Sequence, residues 1–244
     1  MWTWFYKLAS PPHVYGAAAA LVPWLLGTAA VALGYGLIDG LAIAPPDYQQ
    51  GEAFRMIYVH VPSAILSLTV YTVMAAASAV ALIWRIKVGF AVAAAAAPIG
   101  ASFTLLALVT GSLWGRPMWG TYWAWDPRLT SELILLFLYV GVMSLRSAFE
   151  DSSRGDRAAA LLATVGVVNV PIVHFSVVWW NSLHQGATIV RLGAPKMPGS
   201  MLWPLLSMWL GFMLFFAAVL CIRVRGEVLI RERQSTWVRE AIKS

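Results

Sequence analysis

Six long apolar segments dominate this sequence and leave it little choice of fold. A helix needs about 20 consecutive apolar residues to cross a bilayer, and only helices or closed barrels satisfy their backbone hydrogen bonds in lipid. Only 11% of the 244 residues are charged, whereas a soluble domain normally carries about 25%. We therefore predict an all-α integral membrane protein with six transmembrane helices. The segments run roughly over 17–38, 61–84, 88–113, 133–145, 158–180 and 201–222.

The distribution of positive charge predicts how these helices are oriented. Of the 17 Lys and Arg residues, 12 lie in the two terminal segments and the loops on their side, and five lie on the other side. Because cytoplasmic loops carry the excess of Lys and Arg, we expect both termini in the cytoplasm. The net charge of +6 then reflects topology and indicates no nucleic-acid partner. We predict one polytopic domain over 1–244, with an external loop at 114–130 and a basic cytoplasmic tail at 223–244 that contacts membrane lipid.

The external loop is unusually rich in aromatic residues. Residues 119–130 read WGTYWAWDPRLT, and Trp114 lies just before them. A loop needs few large aromatic residues to stay soluble, so Trp119, Trp123 and Trp125 predict a platform for a flat, apolar ligand. An ordinary aromatic belt at the membrane interface is the alternative, although belt residues are scattered along a chain.

Three charged residues accompany these aromatic residues. Asp126 and Arg128 are candidate polar handles for the ligand. Asp126 has a structural alternative, which is to accept hydrogen bonds from loop N–H groups or to pair with Arg128. Glu132, at the start of the fourth segment, is expected to cap that helix or to pair with Arg128.

Two histidines are expected near the loop, at the outer ends of their segments. His60 lies just before the second segment and His184 just after the fifth. Imidazole is a good ligand for haem iron, and a porphyrin is the kind of flat, apolar ligand that Trp faces suit. Arg binds carboxylates bidentately, so external arginines can meet the haem propionates. The external arginines are Arg55, Arg116, Arg128 and Arg191.

Two further residues, His174 and Cys221, are weaker candidates for a functional role. His174 lies ten residues before His184, or about 15 Å along a helix, so one iron cannot easily take both. We expect His174 to be a satisfied histidine of the bundle, with a second role as the alternative. The single cysteine, Cys221, can form no intramolecular disulfide, and the covalent haem-attachment motif Cys-x-x-Cys-His is absent.

The chain resembles a known family at these residues. The spacing Trp-Gly-x-x-Trp-x-Trp-Asp at 119–126 is the signature of the WWD haem-handling proteins of cytochrome c maturation. Within that group the chain is most similar to the CcmC family, whose number of spans and length it also shares. The further matching runs are WGRPMW at 114–119, PRLTS at 127–131, HVP at 60–62 and WWNSLHQ at 179–185.

The resemblance implies a location, a ligand and partners. CcmC proteins lie in the bacterial inner membrane and hold haem b, non-covalently, at the external face. They present it to the haem chaperone CcmE and work with the ABC transporter subunits CcmA and CcmB and the small membrane protein CcmD. The resemblance makes His60 and His184 the axial ligands, gives the loop contact with haem and CcmE, and implies no enzyme activity.

Two other functions stay open at this stage. A haem lyase of the CcmF or CcsA type shares the WWD loop, but such proteins are larger, with more spans and further histidines. A small-solute permease is the second alternative, although such folds often show internal repeats, and none is visible here. The chain also has no phosphate-binding loop and no His-Glu-x-x-His pair, so neither ATP hydrolysis nor zinc proteolysis has visible machinery.

Overall fold

The computed structural model describes Lys7 and residues 9–184 and 197–243, and the regular elements of that part of the chain are helical. Six helical segments there are long and apolar enough to cross a membrane, which confirms the predicted fold class. A π-helical turn, Asp39–Ile43, extends the first helix, and a 3-10 turn, Glu52–Met56, leads into the second. The helices are α1 (Pro11–Ile38), α2 (Ile57–Trp84), α3 (Lys87–Trp119), α4 (Pro127–Ser147), α5 (Ser152–Gly166), α6 (Asn169–Trp179), α7 (Gly199–Arg231) and α8 (Thr236–Lys243).

The fifth span is two helices rather than the single one predicted over 158–180. Helix α5 ends at Gly166, and α6 begins at Asn169. Pro171 explains the break, because proline has no N–H to donate to the carbonyl of Val167 and its ring crowds that carbonyl. The two helices together still have the length and composition of one span.

The predicted loop at 114–130 is shorter than expected, because α3 continues to Trp119. Trp114 therefore belongs to a helix, and the segment between α3 and α4 is 120–126. Gly120 ends α3 in the left-handed region, with φ of 76°, and its N–H donates to the carbonyl of Arg116 at 3.0 Å. Glycine adopts that conformation without a Cβ clash, so it allows the chain to turn sharply at this point.

The basic tail predicted at 223–244 also begins later than expected, because α7 runs on to Arg231. The reason is that charged residues in this extension pair with neighbouring helices instead of facing water. Glu227 binds Arg146 of α4, and Arg231 binds Asp156 of α5. Only the short helix α8 follows, and it packs back on the bundle.

Helices α1 and α7 pack against each other, and α2 packs against α3. Glycine permits the closest approaches. A Cβ on Gly36 of α1 would lie 2.6 Å from the side chain of Met208, and one on Gly211 of α7 would lie 2.7 Å from Leu33. Small residues let helix backbones approach in lipid, so these positions hold the α1–α7 pair together.

The bundle has two distinct ends. At one, which we call the terminal end, Tyr15 of α1 meets Trp237 of α8 with ring centroids 5.8 Å apart, and Arg225 lies 4.5 Å over the Tyr15 ring. The start of α1 and helix α8 therefore lie at the same end, as six spans require. The other, which we call the loop end, carries residues 120–126.

Candidate functional site

A cavity of about 700 Å³ begins at the loop end, between α2, α3, α4 and α6. Apolar side chains form most of its wall, and His60 and His184 both line it. Thr72 lines it as well, twelve residues beyond His60, which is about 18 Å along α2. A volume of this size suits a small organic ligand or cofactor.

His60 is the fourth residue of α2, not a residue before the helix as expected from the sequence. Its Nδ1 lies 3.1 Å from the carbonyl oxygen of Ala107 and 3.1 Å from Oγ1 of Thr110. Because a carbonyl can only accept, Nδ1 carries the proton and donates it to Ala107. That tautomer leaves Nε2 with a lone pair, the form in which imidazole binds a metal.

Two neighbours, Gly111 and Trp114, pack against the imidazole of His60. Gly111 lies so close that a Cβ on it would be 2.9 Å from Cε1 of His60. The ring of Trp114 meets the imidazole edge-on, with centroids 5.7 Å apart. Trp114 is itself held, since its Nε1 donates to Oε1 of Gln50 at 3.0 Å. Trp114 is thus a buried support for the histidine.

The two histidines face each other at a spacing that suits one metal ion. The ring centroids of His60 and His184 are 6.2 Å apart, and their planes are inclined by 38°. Two imidazoles on opposite sides of one metal ion, each with a metal–nitrogen bond of about 2 Å, have centroids roughly 6 Å apart. The residues present therefore fit an iron porphyrin, in which the ring supplies the other ligands.

The Trp residues predicted as one platform lie in two groups. Trp114 and Trp119 line the cavity, and the ring of Trp119 is 6.3 Å from that of His184. Trp123 and Trp125 do not line it but contact each other, with centroids 5.5 Å apart. Trp125 is 78% exposed. The end of α3 therefore presents Trp114 and Trp119 to the cavity, while the loop presents Trp125 to the outside.

Asp126 is buried and joins two segments of the site. One carboxylate oxygen accepts from the N–H groups of Arg128 at 2.8 Å and Leu129 at 3.3 Å, which caps α4, and the other accepts from the N–H of Leu183 at 2.9 Å. Burial raises the pKa of this carboxyl, but hydrogen bonds from Ser182 and from these backbone groups outweigh burial and lower the pKa. The ionised carboxylate thus holds the residue before the second histidine against the start of α4.

Arg128 and Glu132 both line the cavity. Arg128 ties α4 to α6, because its Nη1 donates to the carbonyl oxygens of Val173 at 2.8 Å and His174 at 3.4 Å. Its Nε and Nη2 form no hydrogen bond with the residues that the structure describes. Glu132 is buried one turn away and does not cap α4, since Asp126 does so. His174 lines the same cavity.

Arg55 and Arg116, both predicted as candidates for the propionates, do not line the cavity. Arg116 instead donates to the carbonyl of Gly120 and lies over the ring of Tyr122. Nη1 of Arg55 donates to the carbonyl of Gly40 at 2.9 Å, and its Nε pairs with Glu52. Arg55 thus joins the turn after α1 to the start of α2. Arg191 lies outside the described residues. Among the predicted arginines that the structure describes, Arg128 is the one that lines the cavity.

Sequence reasoning missed the residues that hold His60. Thr110, Gly111 and Ser112 interrupt an apolar run near the end of a predicted helix. Such a cluster of small and polar residues is the signal that could have indicated a contact with another side chain. Gln50 gives no comparable signal, because a glutamine in a loop is ordinary.

Comparison with known proteins identifies the family. The profile of the family described as Heme exporter protein C, CcmC, matches residues 4–239. The chain is 48% identical over 243 residues to heme exporter protein C of Escherichia coli K12, covering 99% of this chain and 98% of that protein. It is 48% identical over 234 residues to the protein of the same name from Bradyrhizobium diazoefficiens, covering 96% and 89%, and 39% identical over 236 residues to that of Paracoccus denitrificans, covering 96% and 98%. With a cavity flanked by two histidines and this similarity along its whole length, the chain belongs to the heme exporter protein C family.

Proposed function

We propose that this protein binds haem b non-covalently at the external face of the bacterial inner membrane and delivers it to the haem chaperone CcmE for cytochrome c maturation. The observation that carries the proposal is the 6.2 Å spacing of His60 and His184 in an apolar cavity. The name that the relatives share, heme exporter protein C, supports haem as the cargo.

The side chains around the cavity suggest how the cargo is held. Nε2 of His60 and the imidazole of His184 would hold the iron, which would leave no coordination position for water or oxygen. The ring of Trp119 lies beside His184, where it would contact the porphyrin. The guanidinium of Arg128 is fixed through Nη1, and its Nη2 donates to a propionate.

The exposed part of the loop is suited to handover. Trp123 and Trp125 lie outside the cavity wall. Trp125 is the exposed member of the pair, and an exposed Trp is a frequent anchor in protein interfaces. We assign this pair to contact with CcmE. The protein itself performs no covalent chemistry in this proposal, so it is a binding and presenting component that works with CcmA, CcmB and CcmD.

The proposal is tested by loading of CcmE in cells that lack the chromosomal copy of this protein. We would compare wild type with Trp125→Ala, and use Trp24→Ala as the matched control, because Trp24 is 76% exposed on α1. We expect Trp125→Ala to bind haem normally and to lower covalent haem on CcmE by about tenfold or more, while Trp24→Ala loads it normally.

Two outcomes would contradict the proposal. Equal loading of CcmE by both variants would show that Trp125 takes no part in the handover. A wild-type protein that binds haem but never loads CcmE would contradict the delivery itself.

A further inference from the structure

A second cavity, of about 360 Å³, lies at the terminal end of the bundle, where α3, α4, α5 and α7 meet. Phe90, Pro98 and Met143 contribute to an apolar wall, and the guanidinium groups of Arg146 and Arg223 line it too. The haem proposal makes no use of this cavity, which is at the opposite end of the bundle from His60. Its combination of apolar wall and cations needs its own explanation.

The charges of four residues at this cavity are already balanced. Arg146 donates through Nε to Asp156 at 3.1 Å and through Nη1 and Nη2 to Glu227 at 3.0 Å and 2.7 Å. Nη2 of Arg231 also binds Asp156, at 2.9 Å. Two cations and two carboxylates therefore neutralise each other and leave no charge for a ligand.

Arg223 is different. Its Nε donates to the carbonyl oxygen of Ala95 at 3.1 Å, which fixes the plane of the guanidinium against α3. Within the described ranges, 9–184 and 197–243, no hydrogen bond or ion pair reaches its Nη1 or Nη2. The cavity thus presents one uncompensated guanidinium edge beside an apolar wall.

We infer that this cavity binds one anionic phospholipid, with the phosphate on Arg223 and an acyl chain along α3 and α4. Two terminal guanidinium nitrogens match a phosphate bidentately. The charge distribution predicts that this end is cytoplasmic, and basic pockets between helices on that side suit the headgroups of anionic lipids. No His or Cys lines the cavity, so it offers a haem iron neither an imidazole nor a thiolate.

Native mass spectrometry of the full chain in mild detergent tests this inference. We would supply phosphatidylglycerol, phosphatidylcholine or inorganic phosphate and compare wild type with two variants. Arg223→Gln removes the free charge, and Ala94→Leu adds bulk to a position that lines the cavity without changing charge. Arg233→Gln is the control, because it removes an exposed cation close in the chain.

We expect wild type and Arg233→Gln to retain one molecule of phosphatidylglycerol. Arg223→Gln and Ala94→Leu should each retain it about tenfold less, while phosphatidylcholine and phosphate alone are not retained. Equal retention of phosphatidylglycerol by Arg223→Gln and wild type would overturn the inference. Retention of phosphate alone would overturn it in favour of a site for a free anion. Equal retention of both lipids would overturn it in favour of nonspecific lipid binding. The haem absorption spectrum should be the same in all four proteins, which separates this test from the haem proposal.

Discussion

Nδ1 of His60 donates to the carbonyl of Ala107, and that contact decides what the other ring nitrogen can bind. Elsewhere in the site, hydrogen bonds with backbone groups also fix the position of a side chain. Asp126 accepts from the N–H of Leu183, and Arg128 donates to the carbonyl of Val173. A second partner for a metal-ligating histidine fixes its tautomer and ring orientation. The residues that position the ligands are therefore as important as the ligands.

Gly111→Ala tests the packing around His60. The new Cβ would lie 2.9 Å from Cε1 of the imidazole, and overpacking of this kind costs about 1–3 kcal/mol. We expect haem titrations, followed by visible absorbance, to show an affinity reduced by roughly 5- to 150-fold. Gly34→Ala is the control, because nothing lies within 4 Å of a Cβ there. Equal affinity in both variants would show that the imidazole is not held by this contact.

Asp126→Asn tests the link to the second histidine. Asn is a good helix N-cap, so α4 keeps its cap, but its amide nitrogen cannot accept from the N–H of Leu183. An unsatisfied buried N–H costs about 1–3 kcal/mol, and we expect haem affinity to fall while the protein stays folded. Asp151→Asn changes the N-cap of α5 at the terminal end and should leave affinity unchanged. Loss of affinity in both would indicate a general effect on helix caps.

The carboxyl of Asp126 also predicts how haem affinity depends on pH. The pKa of Asp126 is lowered from its ordinary value of 3.8, so its contribution is complete above that value and is lost only as the pH falls through the lowered pKa. Haem affinity between pH 5 and 8 should therefore show no titration of this group. A change in haem affinity between pH 5 and 8 that Asp126→Asn abolishes would contradict an ionised Asp126 as the link to Leu183.

Residue types were predictable from the sequence, but contacts were not. His60 and His184 could be identified because imidazoles at the outer ends of two predicted spans must lie near one membrane face. Arg55 could not be placed, because its bond to the carbonyl of Gly40 depends on a turn that no local pattern specifies. Long-range pairs of this kind arise only from packing.

At the scale of helices, hydrophobic length predicted the number of spans well and their ends poorly. The fourth span reaches 21 residues, Pro127–Ser147, because polar residues at both ends remain helical. Glu227 and Arg231 likewise continue α7, since partners on α4 and α5 satisfy their charges. Hydropathy cannot register such compensation, because it scores each charged residue as if it were alone.

Asp156→Asn tests this compensation. Asp156 is 8% exposed and binds both Arg146 and Arg231, so removing its charge should destabilise the bundle by about 1–3 kcal/mol, less than for a fully buried pair. We expect the apparent Tm in detergent to fall by several degrees. Arg154→Gln breaks an exposed ion pair with Asp151 and should change stability by less than about 0.5 kcal/mol. Equal changes in Tm for the two variants would mean that the buried cluster stabilises the protein no more than an exposed ion pair does.

At the scale of the whole molecule, the two cavities lie at opposite ends of the bundle, and the orientation in the membrane gives each its role. The predicted orientation puts the cavity at His60 outside and the cavity at Arg223 inside. Cysteine labelling tests it, because Cys221 is the single cysteine of the chain and can be replaced by Ser. In that background we would introduce Tyr122→Cys in the loop and Glu150→Cys between α4 and α5, both at exposed positions.

In intact spheroplasts, a membrane-impermeant maleimide should label Tyr122→Cys at once and Glu150→Cys only after lysis. The reverse pattern would show that the loop end faces the cytoplasm, and it would exclude an external haem site. Labelling of both before lysis would contradict six complete spans.

The central claim is that His60 and His184 bind one haem iron from its two faces. The most direct measurement is the visible absorption spectrum of the purified protein, oxidised and reduced, for wild type, His60→Ala, His184→Ala, the double variant and His174→Ala. His174 lines the same cavity and is therefore the sharpest control. We predict a low-spin, six-coordinate spectrum for wild type and His174→Ala, its loss in each single variant, and no bound haem in the double variant, with folding intact in all. A bis-imidazole spectrum that persists in the double variant, or a wild-type protein that takes up no haem when haem is supplied, would contradict the assignment.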